Sequence, residues 1–102
     1  MSTELIKRMP AILAAAPTTR ARVTGEITVD ALSIRKAAID CGYTAPITNH
    51  QLRAAMVAAG GAYHTCGPRG VRYVFKGAVQ KAEVLDQATA SVRRALDQAE
   101  EV

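Results

Sequence analysis

Residues 44–76, TAPITNHQLRAAMVAAGGAYHTCGPRGVRYVFK, decide the fold of this chain. Thr48 and Gln51 have the T-x-x-Q spacing of a capping box, in which the threonine oxygen accepts from the backbone N–H three residues on and the glutamine reaches back. The spacing predicts a helix from Asn49, and Gly60-Gly61 predicts its end at residue 59, because glycine takes the left-handed conformation without a Cβ clash. Leu52, Met56 and Ala59 fall at i, i+4 and i+7 and form the inward stripe, which leaves Asn49, His50, Arg53 and Val57 outside. Residues 62–66 and 71–76 are two strand-like runs joined by Gly67-Pro68-Arg69-Gly70, the composition of a hairpin loop. Alternation puts Val71, Tyr73 and Phe75 on one face of the second run and Arg72, Val74 and Lys76 on the other.

The outer face of the helix starts polar and basic. Arginine can bond guanine at two points and asparagine can do so with adenine, so Arg53 and Asn49, with Thr48 and His50 beside them, are suited to base edges in a major groove. The positive N-terminus of a helix also favours phosphate. Arg69 and Arg72, in residues 67–72, would meet the DNA backbone or the minor groove. Every amphipathic helix has a polar face, and edge hairpins often carry cations that resist aggregation, so the two elements carry weight only together.

The element order resembles the winged helix-turn-helix family: helix, short strand, helix, recognition helix, β-hairpin wing. The likeness rests on that order, on the turn Gly42-Tyr43-Thr44-Ala45-Pro46 before the capped helix, and on the GPRG wing. The ITNHQLRAAMVAAGGAYH and RGVRYVFKG portions are also similar to small winged-helix modules of phage and plasmid replication, partition or regulatory proteins. The resemblance implies an α+β, mainly helical fold, with residues 1–77 as the winged-helix domain and 78–102 as a C-terminal helix. It implies sequence-selective binding of double-stranded DNA by helix 49–59, in transcription regulation, DNA replication or phage and plasmid maintenance.

Upstream, Leu5, Ile6, Met9, Ile12 and Leu13 have helical periodicity, with Pro10 expected to kink one helix or open a second. Residues 18–28 read as a basic loop and a short strand that could pair beside the hairpin, and Arg20 and Arg22 in it are candidate phosphate contacts. Asp30 is a candidate N-cap for a helix through Asp40, ended by Gly42, with Leu32, Ala38 and Ile39 as core positions and Ile34 as a weaker one. Lys36 and Arg35 of that helix are expected toward the DNA backbone, and Tyr43 is expected to pack.

Downstream of Gly77, AVQKAEVLDQATASVRRALDQAEEV lacks glycine and proline and predicts one helix. Ala78, Ala82, Leu85, Thr89, Val92, Leu96 and Ala99 alternate at four and three, a heptad seam that points to a homodimer through Leu85, Val92 and Leu96. The competing arrangement packs the stripe on its own domain.

A length of 102 residues bounds the chain to one domain, 49% hydrophobic and 22% charged, with much of its apolar fraction alanine. The net charge of +4 and pI near 9.4 suit a polyanion, and the acidic residues collect near the C-terminus. No apolar run reaches membrane-spanning length and no signal-peptide pattern opens the chain, so a cytoplasmic, nucleoid-associated protein is expected. Cys41, His50, His64 and Cys66 are zinc-ligand types, but His-x-Cys without a C-x-x-C knuckle fits no usual structural site. No catalytic or phosphate-loop motif is present, so neither enzyme activity nor a cofactor is expected. The alternative function is that of a protein-binding winged-helix adaptor or inhibitor acting through apolar faces and the C-terminal helix, motivated by the apolar Ala54, Val57 and Ala58 on the outer helix face.

Overall fold

A computed structural model of the chain describes residues 3–65 and 70–100. The elements are α1 (Thr3–Ala15), β1 (Thr19–Arg20), β2 (Ile27–Asp30), α2 (Ala31–Asp40), α3 (Asn49–Ala58), β3 (Ala62–Thr65), β4 (Val71–Val74) and α4 (Lys81–Glu100). The fold is α+β and mostly helical, with an antiparallel sheet in the order β1-β2-β4-β3. The GPRG segment expected to form the wing, apart from Gly70, and with it Arg69 and Cys66, lies outside the described residues.

Helix α1 is the central packing element, touching α2, α3 and α4. Leu5, Ile6, Met9, Ile12 and Leu13 are each at most 3% exposed. Pro10 sits inside this single helix, neither opening a second one nor ending the first. A mid-helix proline costs about 3 kcal/mol. The five buried side chains, each contributing about 1.5–3 kcal/mol, outweigh it. Glu4 and Arg8 pair at 2.8 Å one turn apart, and Arg8 holds the Glu4 carboxyl below its usual range. Arg8 Nη1 also donates to the Cys41 carbonyl at 3.2 Å, tying α1 to the end of α2.

Helix α2 starts where expected, with Asp30 accepting from the Ser33 N–H at 2.6 Å. Its buried face differs from the expectation. Ile34, Ala37 and Ala38 are inside, while Leu32 is 77% and Ile39 62% exposed. Leu32 and Ile39 are seven residues apart and share a face, so the helix carries two apolar stripes. Contact with α1 and the sheet selects the one through Ile34.

The sheet joins distant segments. β2 pairs with β4, Val29 opposite Tyr73 and Asp30 opposite Arg72, and β4 pairs in turn with β3, Tyr63 opposite Tyr73 and His64 opposite Arg72. The strand expected beside the hairpin is β2. Thr19 and Arg20, expected in a loop, form the added edge strand β1, where the Thr19 and Thr28 hydroxyls meet at 2.6 Å. Gly61 passes so close to the core that a Cβ there would lie 3.3 Å from the Met56 carbonyl and 3.3 Å from the Phe75 ring. Gly60, at φ 91°, makes the preceding left-handed turn.

Helix α4 begins at Lys81, three residues later than expected. Ala78 instead prolongs the sheet edge, its carbonyl accepting from Ile27 N at 2.8 Å. The residues of the predicted heptad seam differ in burial. Ala82 and Thr89 are exposed, and the line Val84, Ala88 and Val92, spaced by four, faces inward against α1. Val92, expected at a dimer seam, is buried in its own chain, and Leu85 and Leu96 pack against the same core. The reason is that α1 presents an uncovered apolar side which α4 closes, so the stripe is used within the chain. No helix among the described residues is long and apolar enough to cross a membrane.

Candidate nucleic-acid interface

The geometry of α3 starts from its cap. Thr48 Oγ1 accepts from Gln51 N at 3.1 Å, and Thr48 N donates to Gln51 Oε1 at 3.0 Å. Leu52, Ala55, Met56 and Ala59 point inward, and Asn49, His50, Arg53 and Val57 are exposed, as the periodicity predicts.

Two of the candidate readers have partners within the chain. The Arg35 guanidinium, from α2, spans the turn. Its Nη1 donates to the Ile47 carbonyl and its Nη2 donates to Asn49 Oδ1 at 2.7 Å. A two-point contact with adenine uses the carboxamide oxygen as well as the NH2 group, so Asn49 as placed offers only its donors. Arg35 thus positions the turn and Asn49 instead of facing a backbone phosphate. Arg53 lies with its guanidinium carbon 4.3 Å from the Tyr63 ring centroid. Tyr63 in turn meets Tyr73 edge to face at 5.9 Å. This chain of contacts joins the exposed face of α3 to the hairpin.

Arg72 is half-buried on the opposite face of the sheet from Tyr73, in a row across three strands with Asp30 and His64. The remaining candidates lie elsewhere. Arg20 and Arg22 are exposed, but Arg20 is on β1, the sheet edge farthest from Tyr63 and roughly 14 Å away at about 4.8 Å per strand. Arg20 is also opposite Ile27, at the start of β2, whereas the β3–β4 loop leaves the sheet near the end of β2. Lys36 is exposed and lines a hollow with Pro17, Ser33 and Asp40, about 100° around α2 from Arg35.

Tyr63 was not singled out by the sequence reading. The signal that finds it is register: paired with Tyr73, it shares that residue's face, yet it stands on an edge strand, 41% exposed. Two hollows flank α3, one of about 270 Å³ between Asn49, Arg53 and Tyr63, and one of about 410 Å³ facing α1 and α4. Arg53 and His50 border both. Among the described residues the one ion pair is Arg8–Glu4, so neither Arg53 nor Arg72 makes a salt bridge to a described carboxylate. No three His, Cys, Asp or Glu side chains among them gather as metal ligands. The outer face of α4 is polar, with Asp86, Thr89, Arg93 and Asp97 exposed.

The architecture is that of an α+β protein in which the exposed Arg53 of a capped helix packs against Tyr63 of an antiparallel hairpin. No family model, curated protein or solved structure matches the chain.

Proposed function

We propose that the chain is a winged helix-turn-helix protein that binds double-stranded DNA. In this reading α2, the turn and α3 are the helix-turn-helix, the β3–β4 hairpin is the wing, and β1 is an addition to that plan. His50 and Arg53 would face base edges, Asn49 would contribute N–H donors, and Arg72 would meet the DNA backbone, joined by Arg69. Arg20, Arg22 and Lys36 are left out of the contact.

The observation that supports the reading is the Arg53–Tyr63 contact, which holds the exposed face of α3 against β3 of the hairpin. A groove reader needs that fixed relation, since base contacts tolerate little misplacement. The net charge of +4 adds the sign.

The test is fluorescence anisotropy with random-sequence duplex DNA at low and near-physiological salt. Each neutralised phosphate should contribute a slope of about −0.9 in log affinity against log salt. Absence of binding even at low salt would overturn the proposal.

A further inference from the structure

We propose that the hollow between the start of α3 and the hairpin is a binding site for a small monocarboxylate with a flat apolar body. The inference does not rest on α3 meeting DNA, and its test contains no DNA, so either can fail alone.

The hollow holds about 270 Å³, just under the roughly 300–1,000 Å³ of sites for drug-sized ligands, which bounds the occupant to a small one. Ala31, Leu52 and Val71 give it apolar walls, and Tyr63 and Tyr73, whose rings meet edge to face, complete them. Asn49, His50 and Arg53 also line it, and none of the described residues around it is a carboxylate. Apolar and aromatic walls with a few placed polar groups are the usual build of a ligand site.

Tyr73 marks the hollow as more than a surface dent. The residue is 2% exposed, yet among the described residues its hydroxyl has no hydrogen-bond partner. A buried tyrosine hydroxyl ordinarily finds one. No side-chain oxygen of the described residues is both sealed from solvent and unpartnered, so this hydroxyl keeps an opening, and the hollow that Tyr73 lines provides it. Burial, and then Tyr63, raise the phenol above its ordinary 10.0, so it is a donor at neutral pH; Arg53 and Arg35 pull the other way, which puts both guanidiniums within electrostatic reach of it.

The other polar groups select the ligand. Arg53 makes no hydrogen bond or ion pair among the described residues, so its N–H donors are free, while the Tyr63 ring at 4.3 Å holds the guanidinium at the hollow and little order is lost when an anion docks. Asn49 Oδ1 is taken by Arg35 Nη2 at 2.7 Å, which leaves its NH2 group to donate. Guanidinium, carboxamide and phenol together call for an acceptor, and a planar carboxylate matches the guanidinium fork at two points. One such fork among apolar and aromatic walls fits a singly charged head on a flat body better than a bare, multiply charged phosphate.

The test is a ¹⁵N-HSQC titration of the full chain with benzoate, its neutral analogue benzamide, and inorganic phosphate. Benzoate should give saturable shifts confined to Ala31, residues 49–53, Tyr63 and residues 71–73, with affinity about tenfold or more above benzamide, the gain of a charged over a neutral hydrogen-bonded pair. Arg53→Ala should bring benzoate down to the level of benzamide. Tyr73→Phe removes a hydroxyl that has no partner in the chain, so the fold loses no hydrogen bond, and it should weaken benzoate roughly threefold to tenfold. Any of five results would overturn the proposal: no saturable shifts at millimolar benzoate, equal affinity for acid and amide, phosphate binding as tightly as benzoate, unchanged benzoate affinity in Tyr73→Phe, or shifts spread over Val23, Leu32 and Ile39 as for any exposed apolar side chain.

Discussion

The Arg53 guanidinium stands 4.3 Å from the Tyr63 ring centroid, so a helix side chain and a strand side chain from opposite sides of the Gly60-Gly61 turn act as one unit. Tyr63→Ala is expected to cost about 0.5–1 kcal/mol of stability, the value of an exposed cation–π contact. Urea unfolding measures it. On DNA, Arg53→Ala should cost about 1–3 kcal/mol and relax sequence preference, whereas Arg72→Ala should weaken all sequences alike and lower the salt slope by about one. Anisotropy on a selected site and on random duplex separates the two, and equal losses on both DNAs for both variants would contradict the division of labour.

Arg35 holds the turn between α2 and α3 through Ile47 and Asn49. Arg35→Ala should destabilise by about 1–3 kcal/mol, because a charged donor and two acceptors lose their partners. Hydrogen exchange should quicken selectively at residues 41–49. Arg35→Lys should not restore protection, since an ammonium lacks the two-armed reach.

The two apolar stripes of α2 make opposite predictions. Ile34→Ala, at a fully buried site, should cost about 2–5 kcal/mol. Leu32→Ala and Ile39→Ala should each stay within about 0.5 kcal/mol of the wild type. Denaturant midpoints at matched slope decide between them.

Burial pushes the Tyr73 phenol above its ordinary value of 10.0, and Tyr63 adds to the rise. The unfolded chain therefore releases this proton first as pH climbs past about 10, the ordinary tyrosine value. The folded state binds more protons in that window, so this contribution to stability is intact below about pH 10 and is lost as pH rises through the folded value. Tyr73→Phe should shallow the fall in urea midpoint between about pH 9 and 11.

Local chemistry was legible in the chain itself. The Thr48–Gln51 capping box, the Asp30 cap, the glycine stops and the alternation of β4 all form as their residues dictate, because each depends on groups within a few positions of one another. The inward stripes of α1 and α3 followed for the same reason: each helix has one dominant apolar face. Where two faces competed, only tertiary packing chose. Helix α2 buries Ile34 instead of Leu32 and Ile39, and α4 turns Val84, Ala88 and Val92 onto α1. The same holds for the candidate interface. Sequence alone set out a basic residue list, but strand order placed Arg20 at the far sheet edge, helix phase set Lys36 about 100° around α2 from Arg35, and β3–β4 register brought Tyr63 under Arg53. Those relations join residues distant in the chain, and they exist only once the α1-centred core has set where each element lies.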